Sequence, residues 1–361
     1  MRLAGRAAGR TSPNPMVGAL LYKDGRIISE DYHKKAGTPH AEALVLAKAG
    51  GDAAGATLFV TLEPCCHRNK RTPPCTDAII QSGVAEVVVG IADPNPMVSG
   101  KGIAALQAAG IKVSRGLLEE PLRRQNEAYI KYIVTGEPFV TMKVAMTLDG
   151  KIATPEGESK WITSERSRAL VHRMRNSADC ILTAVGTVKA DNPRLTCRMK
   201  AGRNPVRAII DLRLETPAGS HVLTCPPATI IITTKERAAS PAALALAQKG
   251  VEFIGYGPGP DEGAAQDGSP DLKWLMRLLG DRGITSVMIE GGASLTGRAV
   301  EQGIVDKAVF FIAPKIIGGR NSFVPVASRS FRKMEDALAL SGLKVRMIGG
   351  DVLIEGYTAA P

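Results

Sequence analysis

The sequence predicts an α/β protein built as two domains, on three observations. Short apolar runs such as 57–62 alternate with segments of helical spacing such as 41–47, the pattern of layered sheets and helices. The chain has 361 residues, too many for one ordinary core. Residues 134–139 (Val-Thr-Gly-Glu-Pro-Phe) read as a linker and divide the chain into 1–137 and 138–361.

Composition narrows the class. Apolar content of 44% and charged content of 22% are those of a soluble globular protein. No apolar run reaches the ~18–20 residues that span a bilayer. The start, Met1-Arg2-Leu3-Ala4-Gly5-Arg6, lacks the apolar stretch of a signal peptide. The expectation is a cytoplasmic protein with no membrane partner. Six cysteines without a regular framework suit a reducing compartment, where clustered thiols suggest metal. The formal charge of +11 is spread as +4 over 1–137 and +7 over the rest, which suits anionic small molecules as well as nucleic acid. An aromatic content of 4% counts against a base-stacking surface, so no nucleic-acid partner is expected. Homo-oligomerisation is left open.

In the first half, residues 17–22 and 26–32 flank Lys23-Asp24-Gly25, and Asp-Gly between apolar runs signals a hairpin. A helix is expected from Thr38-Pro39, a cap followed by proline, to Gly50-Gly51. A strand over 57–62 follows, then a helix opening at Thr72-Pro73-Pro74-Cys75. A strand at 86–90, a helix near 101–109 and a short strand at 111–113 complete the alternation.

The chemistry concentrates between Thr38 and Cys75. His40 and Glu42 lie two residues apart, and Pro64-Cys65 and Cys75 follow downstream, which is the H-x-E…P-C…C pattern of a hydrolytic zinc centre. Residues i and i+2 share no helix face, so His40 and Glu42 can converge only at a helix start. Cys75 is expected in a first helical turn, where orphan N–H groups and the helix dipole favour a thiolate. Three ligands (His40, Cys65 and Cys75) leave tetrahedral zinc one position for water. Glu42 would move that water's proton. Cys66 and His67 are rival ligands, but Cys65 directly follows Pro64 at a strand end and is favoured. A lone His-x-Glu means little, and two cysteines could be mere buried thiols. Their joint placement on two proline-started helices favours zinc.

At this point the first half resembles a known family. Thr11-Ser12-Pro13-Asn14-Pro15-Met16-Val17-Gly18-Ala19, His40-Ala41-Glu42, Thr61-Leu62-Glu63-Pro64-Cys65, Arg71-Thr72-Pro73-Pro74-Cys75 and Asp93-Pro94-Asn95-Pro96 look like the deaminase half of the bifunctional riboflavin-biosynthesis deaminase–reductases. The nine residues between Cys65 and Cys75 match that family's long loop with one residue more, placed among Arg68-Asn69-Lys70. The resemblance implies a cytidine-deaminase-like three-layer domain. It also implies that Asn14, His33 and Arg71 contact a phosphorylated pyrimidine. The competing readings are turn chemistry for Asn14 and ordinary solvated residues for His33 and Arg71. The helix before Thr11 looks shorter than the family's.

In the second half, strands are expected at 139–146, 180–185, 206–211, 229–233, 251–254 and 286–290, with a turn at Leu148-Asp149-Gly150-Lys151. Ser164 should cap a helix running through Arg175, and another helix should cover 272–280. Residues 257–270 read as an exposed loop. Gly291-Gly292, opening a helix, could admit a phosphate at its N-terminus or merely serve a turn. It is not the G-x-G-x-x-G fingerprint.

Met142–Lys151, Ser159-Lys160-Trp161-Ile162-Thr163-Ser164, Val185–Pro193, Glu290-Gly291-Gly292 and Ala313-Pro314-Lys315 resemble the reductase half of the same family. This implies a dihydrofolate-reductase-like domain using NADPH. By position, Ala145, Trp161, Thr187, Asp191 and the turn Gly292, Ala293, Ser294, Leu295, Thr296, Gly297, Arg298 would hold the cofactor. Ser159, Arg175, Leu195, Arg198 and Glu290 would hold substrate, with the arginines on its phosphate. Lys143 would act at the reacting ribose. The competing readings are a solvated helix face for Arg175 and a core aromatic for Trp161. The resemblance thus implies zinc-dependent deamination followed by NADPH reduction. Two rivals stand beside it: a tRNA-type nucleic-acid deaminase with an accessory domain, and a protein in which zinc only staples the fold through a fourth ligand.

Overall fold

A computed structural model describes residues 1–67, 73–259, 262–265, 268–327 and 333–358. The chain forms two compact units, Met1–Glu137 and Pro138–Pro361. Among the described residues, no helix is long and apolar enough to cross a membrane.

The first unit is built on a five-stranded sheet. Its strands are β1 (Gly18–Lys23), β2 (Arg26–Tyr32), β3 (Thr57–Leu62), β4 (Glu86–Ile91) and β5 (Lys112–Arg115), in the order β2-β1-β3-β4-β5. The hairpin expected at Asp24-Gly25 forms: Lys23 pairs Arg26, and both turn residues have positive φ, as a two-residue turn of this hand requires. β1 runs antiparallel to β2 and β3, while β3, β4 and β5 are parallel. Helices Ala41–Ala49 and Cys75–Gln81 bury Val45 and Ile79 in the same core as Leu21, Leu58 and Val87.

Two boundaries depart from expectation. The Thr38 hydroxyl donates to Lys35 O within a turn, so it caps nothing; His40 is the N-cap in extended backbone, and the helix begins at Ala41. The second helix has Pro74 as N-cap and Cys75 as its first residue; Thr72 lies outside the described residues. The 134–139 linker is shorter than read. Helix Glu127–Thr135 runs into it, Gly136 (φ 75°) ends the helix, and a strand begins at Phe139. That helix and its neighbour, Glu119–Gln125, were not anticipated, because their apolar positions interleave with charges that read as loop.

The second unit carries a nine-stranded sheet. Its strands are β6 (Phe139–Thr147), β7 (Cys180–Ala184), β8 (Val206–Ile210), β9 (Thr229–Thr234), β10 (Val251–Tyr256), β11 (Ser286–Ile289), β12 (Lys307–Ala313), β13 (Ser341–Ile348) and β14 (Asp351–Tyr357). The order is β10-β9-β8-β7-β11-β6-β12-β14-β13. Pairings from β10 to β12 are parallel, and β14 and β13 add antiparallel ribbons at one edge. The central strands are near-continuous buried runs, as parallel strands covered on both faces must be. β11 inserts between β7 and β6, so the strand order reverses there. Such a reversal opens a crevice beyond the carboxyl ends of the strands. Ser164 caps helix Glu165–Ser177 by accepting from Ser167 N. Of the expected exposed loop at 257–270, the described residues are exposed only in part: Pro258, Glu262 and Gly268 face solvent, while others pack inward. Gly263 packs so closely on Trp274 that a Cβ would sit 2.5 Å from the indole, and Ser269 and Pro270 are buried.

Candidate functional site

Three donors converge in the first unit. Cys65 leaves the carboxyl end of β3, while His40 and Cys75 stand at two helix starts. Their ligand atoms all lie within 4.8 Å of one another. The Cys65 and Cys75 sulfurs are 3.5 and 3.2 Å from His40 Nδ1. Cys75 N also donates to Cys65 Sγ (3.4 Å), the helix-start amide that favours a thiolate. Cys66 and His67 stay outside this group among the described residues, so the closed four-ligand staple finds no fourth donor there.

Glu42 sits in the first turn of its helix, only 3% exposed, and its Oε2 has no hydrogen-bond partner. An orphaned buried carboxylate oxygen beside two thiols and an imidazole fits a cation with an open coordination position. Burial foremost, and then the Cys65 thiolate, pushes the Glu42 carboxyl above its ordinary range.

The surroundings hold this geometry. His33 is 2% exposed, which removes the solvated reading. Its Nδ1 donates to Pro39 O (3.1 Å), leaving Nε2 to accept from Asn14 Nδ2 (3.2 Å), and its ring packs edge-on to His40. Burial lowers the His33 pKa, so the imidazole is neutral. Asn14 does make the expected turn, its N–H donating to Thr11 O, while its side chain also reaches His33. Arg71 lies outside the described residues.

Two further residues were not singled out in the sequence. The buried Glu63 carboxylate accepts from the N–H groups of Asp93, Gly100, Gly102 and Ile103 at 2.9–3.2 Å. It thereby fixes the strand end that presents Cys65. Asn126 exchanges hydrogen bonds with both backbone groups of Met16, clamping the turn that carries Asn14. A Glu preceding Pro-Cys is visible in sequence, but its four amide partners come from the segment after β4 and a remote helix start.

In the second unit, the remaining residues fall into several contact groups, the first at Glu290. Glu290, buried at the end of β11, accepts bidentately from Arg175 Nε (2.6 Å) and Nη2 (2.9 Å). Lys143 Nζ from β6 is 3.4 Å from the same carboxylate. These cations hold the Glu290 carboxyl down at about 2 despite its burial. Arg175 is 11% exposed and also donates to Thr196 O, so it is no solvated helix face. Its side-chain donors are engaged by Glu290 and Thr196. The more exposed Arg198 lies near Arg175 and Arg194; desolvation first, and then these like charges, lower its pKa, and the concentration of cations suits an anion. Leu195 is buried in left-handed backbone (φ 52°) in this segment.

Ser159 Oγ donates to Asp191 Oδ1 (2.7 Å), joining two of the singled-out residues. Trp161 is 60% exposed with the Arg168 guanidinium over its ring, so it is not a core aromatic. Thr187 Oγ1 accepts from Gly292 N (3.0 Å). Helix Ala293–Glu301 begins there; Leu295 N and Thr296 N return to Gly292 O, and helix geometry leaves Ala293 and Ser294 N–H without an intrahelical acceptor. A Cβ on Gly292 would meet only Thr187 Oγ1, at 3.7 Å, so the approach to that helix start is open. Thr296, Gly297 and Leu295 are buried in the helix, and Arg298 Nη2 donates to Pro270 O. Gly292, Ala293 and Ser294 are the less buried part of the turn. Ala145 is half-buried on β6.

Such a centre, a three-ligand zinc site with a buried glutamate beside it, defines a zinc-dependent hydrolytic deaminase, joined here in one chain to a crevice of the kind that takes nucleotides. Residues 1–91 match the cytidine and deoxycytidylate deaminase zinc-binding region, and residues 138–354 match the RibD C-terminal domain. The riboflavin biosynthesis protein RibD of Aquifex aeolicus is 43% identical over 98% of this chain and 95% of its own. That of Escherichia coli is 37% identical over 98% and 96%. The solved structure of Acinetobacter baumannii RibD superposes with a TM-score of 0.86 at 34% identity, covering 99% of this chain and 96% of that one. A Thermotoga maritima diaminohydroxyphosphoribosylaminopyrimidine deaminase/5-amino-6-(5-phosphoribosylamino)uracil reductase gives 0.86 at 38%, covering 99% and 95%. The chain belongs to the RibD family, the bifunctional deaminase–reductases of riboflavin biosynthesis.

Proposed function

We propose that residues 1–137 deaminate 2,5-diamino-6-(5-phosphoribosylamino)pyrimidin-4(3H)-one and that residues 138–361 reduce the deaminated product to 5-amino-6-(5-phosphoribitylamino)uracil. The convergence of His40, Cys65 and Cys75 beside an orphaned Glu42 oxygen carries the reading. Zn2+ and NADPH are the cofactors.

His40, Cys65 and Cys75 hold the zinc, which when bound makes a water acidic enough to attack at neutral pH. Glu42 takes that water's proton and delivers it to the departing amine, so the ring C2–N bond breaks, ammonia leaves and a carbonyl remains. Asn14 and the neutral His33 orient the pyrimidine, and the family resemblance assigns its phosphate to Arg71, which lies outside the described residues.

In the second unit NADPH, when bound, would supply the hydride that turns the ribosyl group into ribityl. Ala145, Trp161, Thr187, Asp191 and the start of helix Ala293–Glu301 would hold it, the Ala293 and Ser294 N–H groups being suited to a phosphate. Ser159, Leu195, Arg198 and Glu290 seat the substrate, Arg198 on its phosphate and Arg175 by bracing Glu290. Lys143, ordered by Glu290, orients the sugar. The substrate is a small anion, which suits the positive charge of both units.

A coupled assay tests this, following ammonia and NADPH on the phosphorylated pyrimidine. The wild-type chain releases ammonia and then oxidises NADPH. Glu42→Gln loses ammonia release by about 100-fold or more, keeps its zinc, and still oxidises NADPH on pre-deaminated substrate. Persistent deamination removes Glu42 from the proton transfer.

A further inference from the structure

The turn Leu148-Asp149-Gly150-Lys151 has no part in the roles above. Its aspartate is exposed, yet its carboxylate is fully engaged. Oδ1 accepts from Thr147 Oγ1 (2.6 Å) and Ile317 N (3.3 Å), and Oδ2 accepts from Gly318 N (2.7 Å). Gly318 and Gly319 have φ of 72° and 78°, the left-handed backbone glycine readily adopts. Thr147 is wholly buried, and its hydroxyl also accepts from Lys151 N, so its proton is committed to Asp149. These bonds hold the Asp149 carboxyl at about 2, where it stays ionised.

The segment that Asp149 grips follows β12. Leu148 N donates to Lys315 O, and Ile152 N and Phe323 N exchange bonds with Phe323 O and Ala153 O. Lys315 Nζ donates to Trp161 O (2.6 Å). Further along, Ala327 N donates to Ala293 O, and Thr296 Oγ1 donates to Pro325 O. Residues 314–327 therefore tie together the end of β6, Trp161 and the start of helix Ala293–Glu301. These are separate elements, and each carries residues assigned above to NADPH.

We infer that Asp149 is a positioning residue for the reductase: it anchors the 314–327 strap, which holds the walls of the NADPH crevice in register before the cofactor binds. This inference rests on the reductase reading. A preorganised crevice binds without the entropy cost of ordering its walls. Loosening the strap therefore weakens NADPH binding without touching the hydride step.

The test uses the full chain with Asp149→Asn, Thr147→Val and Thr147→Ser. Asp149→Asn presents an amide in place of the anion, and Thr147→Val keeps the shape but removes the hydroxyl. Each should raise the Kd for NADPH, read by fluorescence titration, and the KM for NADPH about tenfold, as for loss of a charge-assisted hydrogen bond. The kcat at saturating NADPH should stay within about twofold, and ammonia release should not change. Thr147→Ser should restore both constants. Without NADPH, the Ile317 and Gly318 amides should exchange hydrogen faster in Asp149→Asn. Unchanged Kd and KM beside an active wild type overturn the anchor, even if thermal stability falls. A fall in kcat alone also overturns it. A wild-type chain that oxidises no NADPH on deaminated substrate instead sinks the reductase reading, and the inference with it.

Discussion

Replacing Glu290 by Gln probes the centre of the second unit. Glu290, Arg175 and Lys143 are 7, 11 and 16% exposed, so water screens their charges poorly. The glutamine keeps the shape and one acceptor but leaves two buried cations without an anion. Removing one partner of a buried pair costs about 3–5 kcal/mol. An independent route starts from the carboxyl, held at about 2 against an ordinary 4.5. That shift corresponds to roughly 3 kcal/mol of native-state stabilisation. The native pKa is the lower one, so this stabilisation is fully present above pH ~4.5 and is lost as pH falls toward ~2. Arg175 shows the other side of the same pair: burial would lower its pKa, but the Glu290 charge raises it, so its share of the stabilisation is present throughout the acid and neutral range and is lost only as pH rises through the arginine range. Both tryptophans, Trp161 and Trp274, lie in the second unit, so intrinsic fluorescence follows that unit alone during urea unfolding. Glu290→Gln should lose about 3 kcal/mol at pH 7, with the deficit shrinking by pH 3. A loss below about 0.5 kcal/mol at pH 7, or a deficit equal at both pH values, would refute the reasoning.

Two further outcomes follow from the sites. Lys143→Ala should slow NADPH oxidation by about 100-fold while sparing ammonia release, because the bidentate Arg175–Glu290 pair survives it; an unaffected reductase removes Lys143 from the mechanism. Gly102→Ala would place a Cβ 2.1 Å from Pro64 O and 3.2 Å from Glu63 Oε1, forcing the strand end that carries Cys65 to move. It should destabilise the first unit by about 1–3 kcal/mol, with zinc content and ammonia release falling together. Trp fluorescence of the second unit should stay unchanged, and wild-type zinc content would show that Glu63 does not fix Cys65.

The pattern of residues determined a good deal. His40, Cys65 and Cys75 are specific because zinc accepts few donor types, and ligands 25 and ten residues apart converge here at helix starts and a strand end, with Glu42 in the first turn after His40. The Asp24-Gly25 hairpin and the buried parallel strands were legible because turn chemistry and hydrophobic period are local properties. Helix ends were less so: Thr38 has a cap's chemistry, but its hydroxyl was taken by Lys35 O and His40 became the cap.

Only the tertiary structure could decide what each charged or polar side chain meets. Arg175 has the same sequence context whether it faces water or Glu290, and the partner lies 115 residues away. Glu63 finds its amides about 40 residues on, and Asp149 grips a segment nearly 170 residues away. Hydrogen bonds and ion pairs depend on atoms a few ångströms apart, and sequence spacing carries no such distances once the chain has crossed a sheet. The chemistry of this protein is written in its residue types, whereas the support that holds it in place exists only after folding.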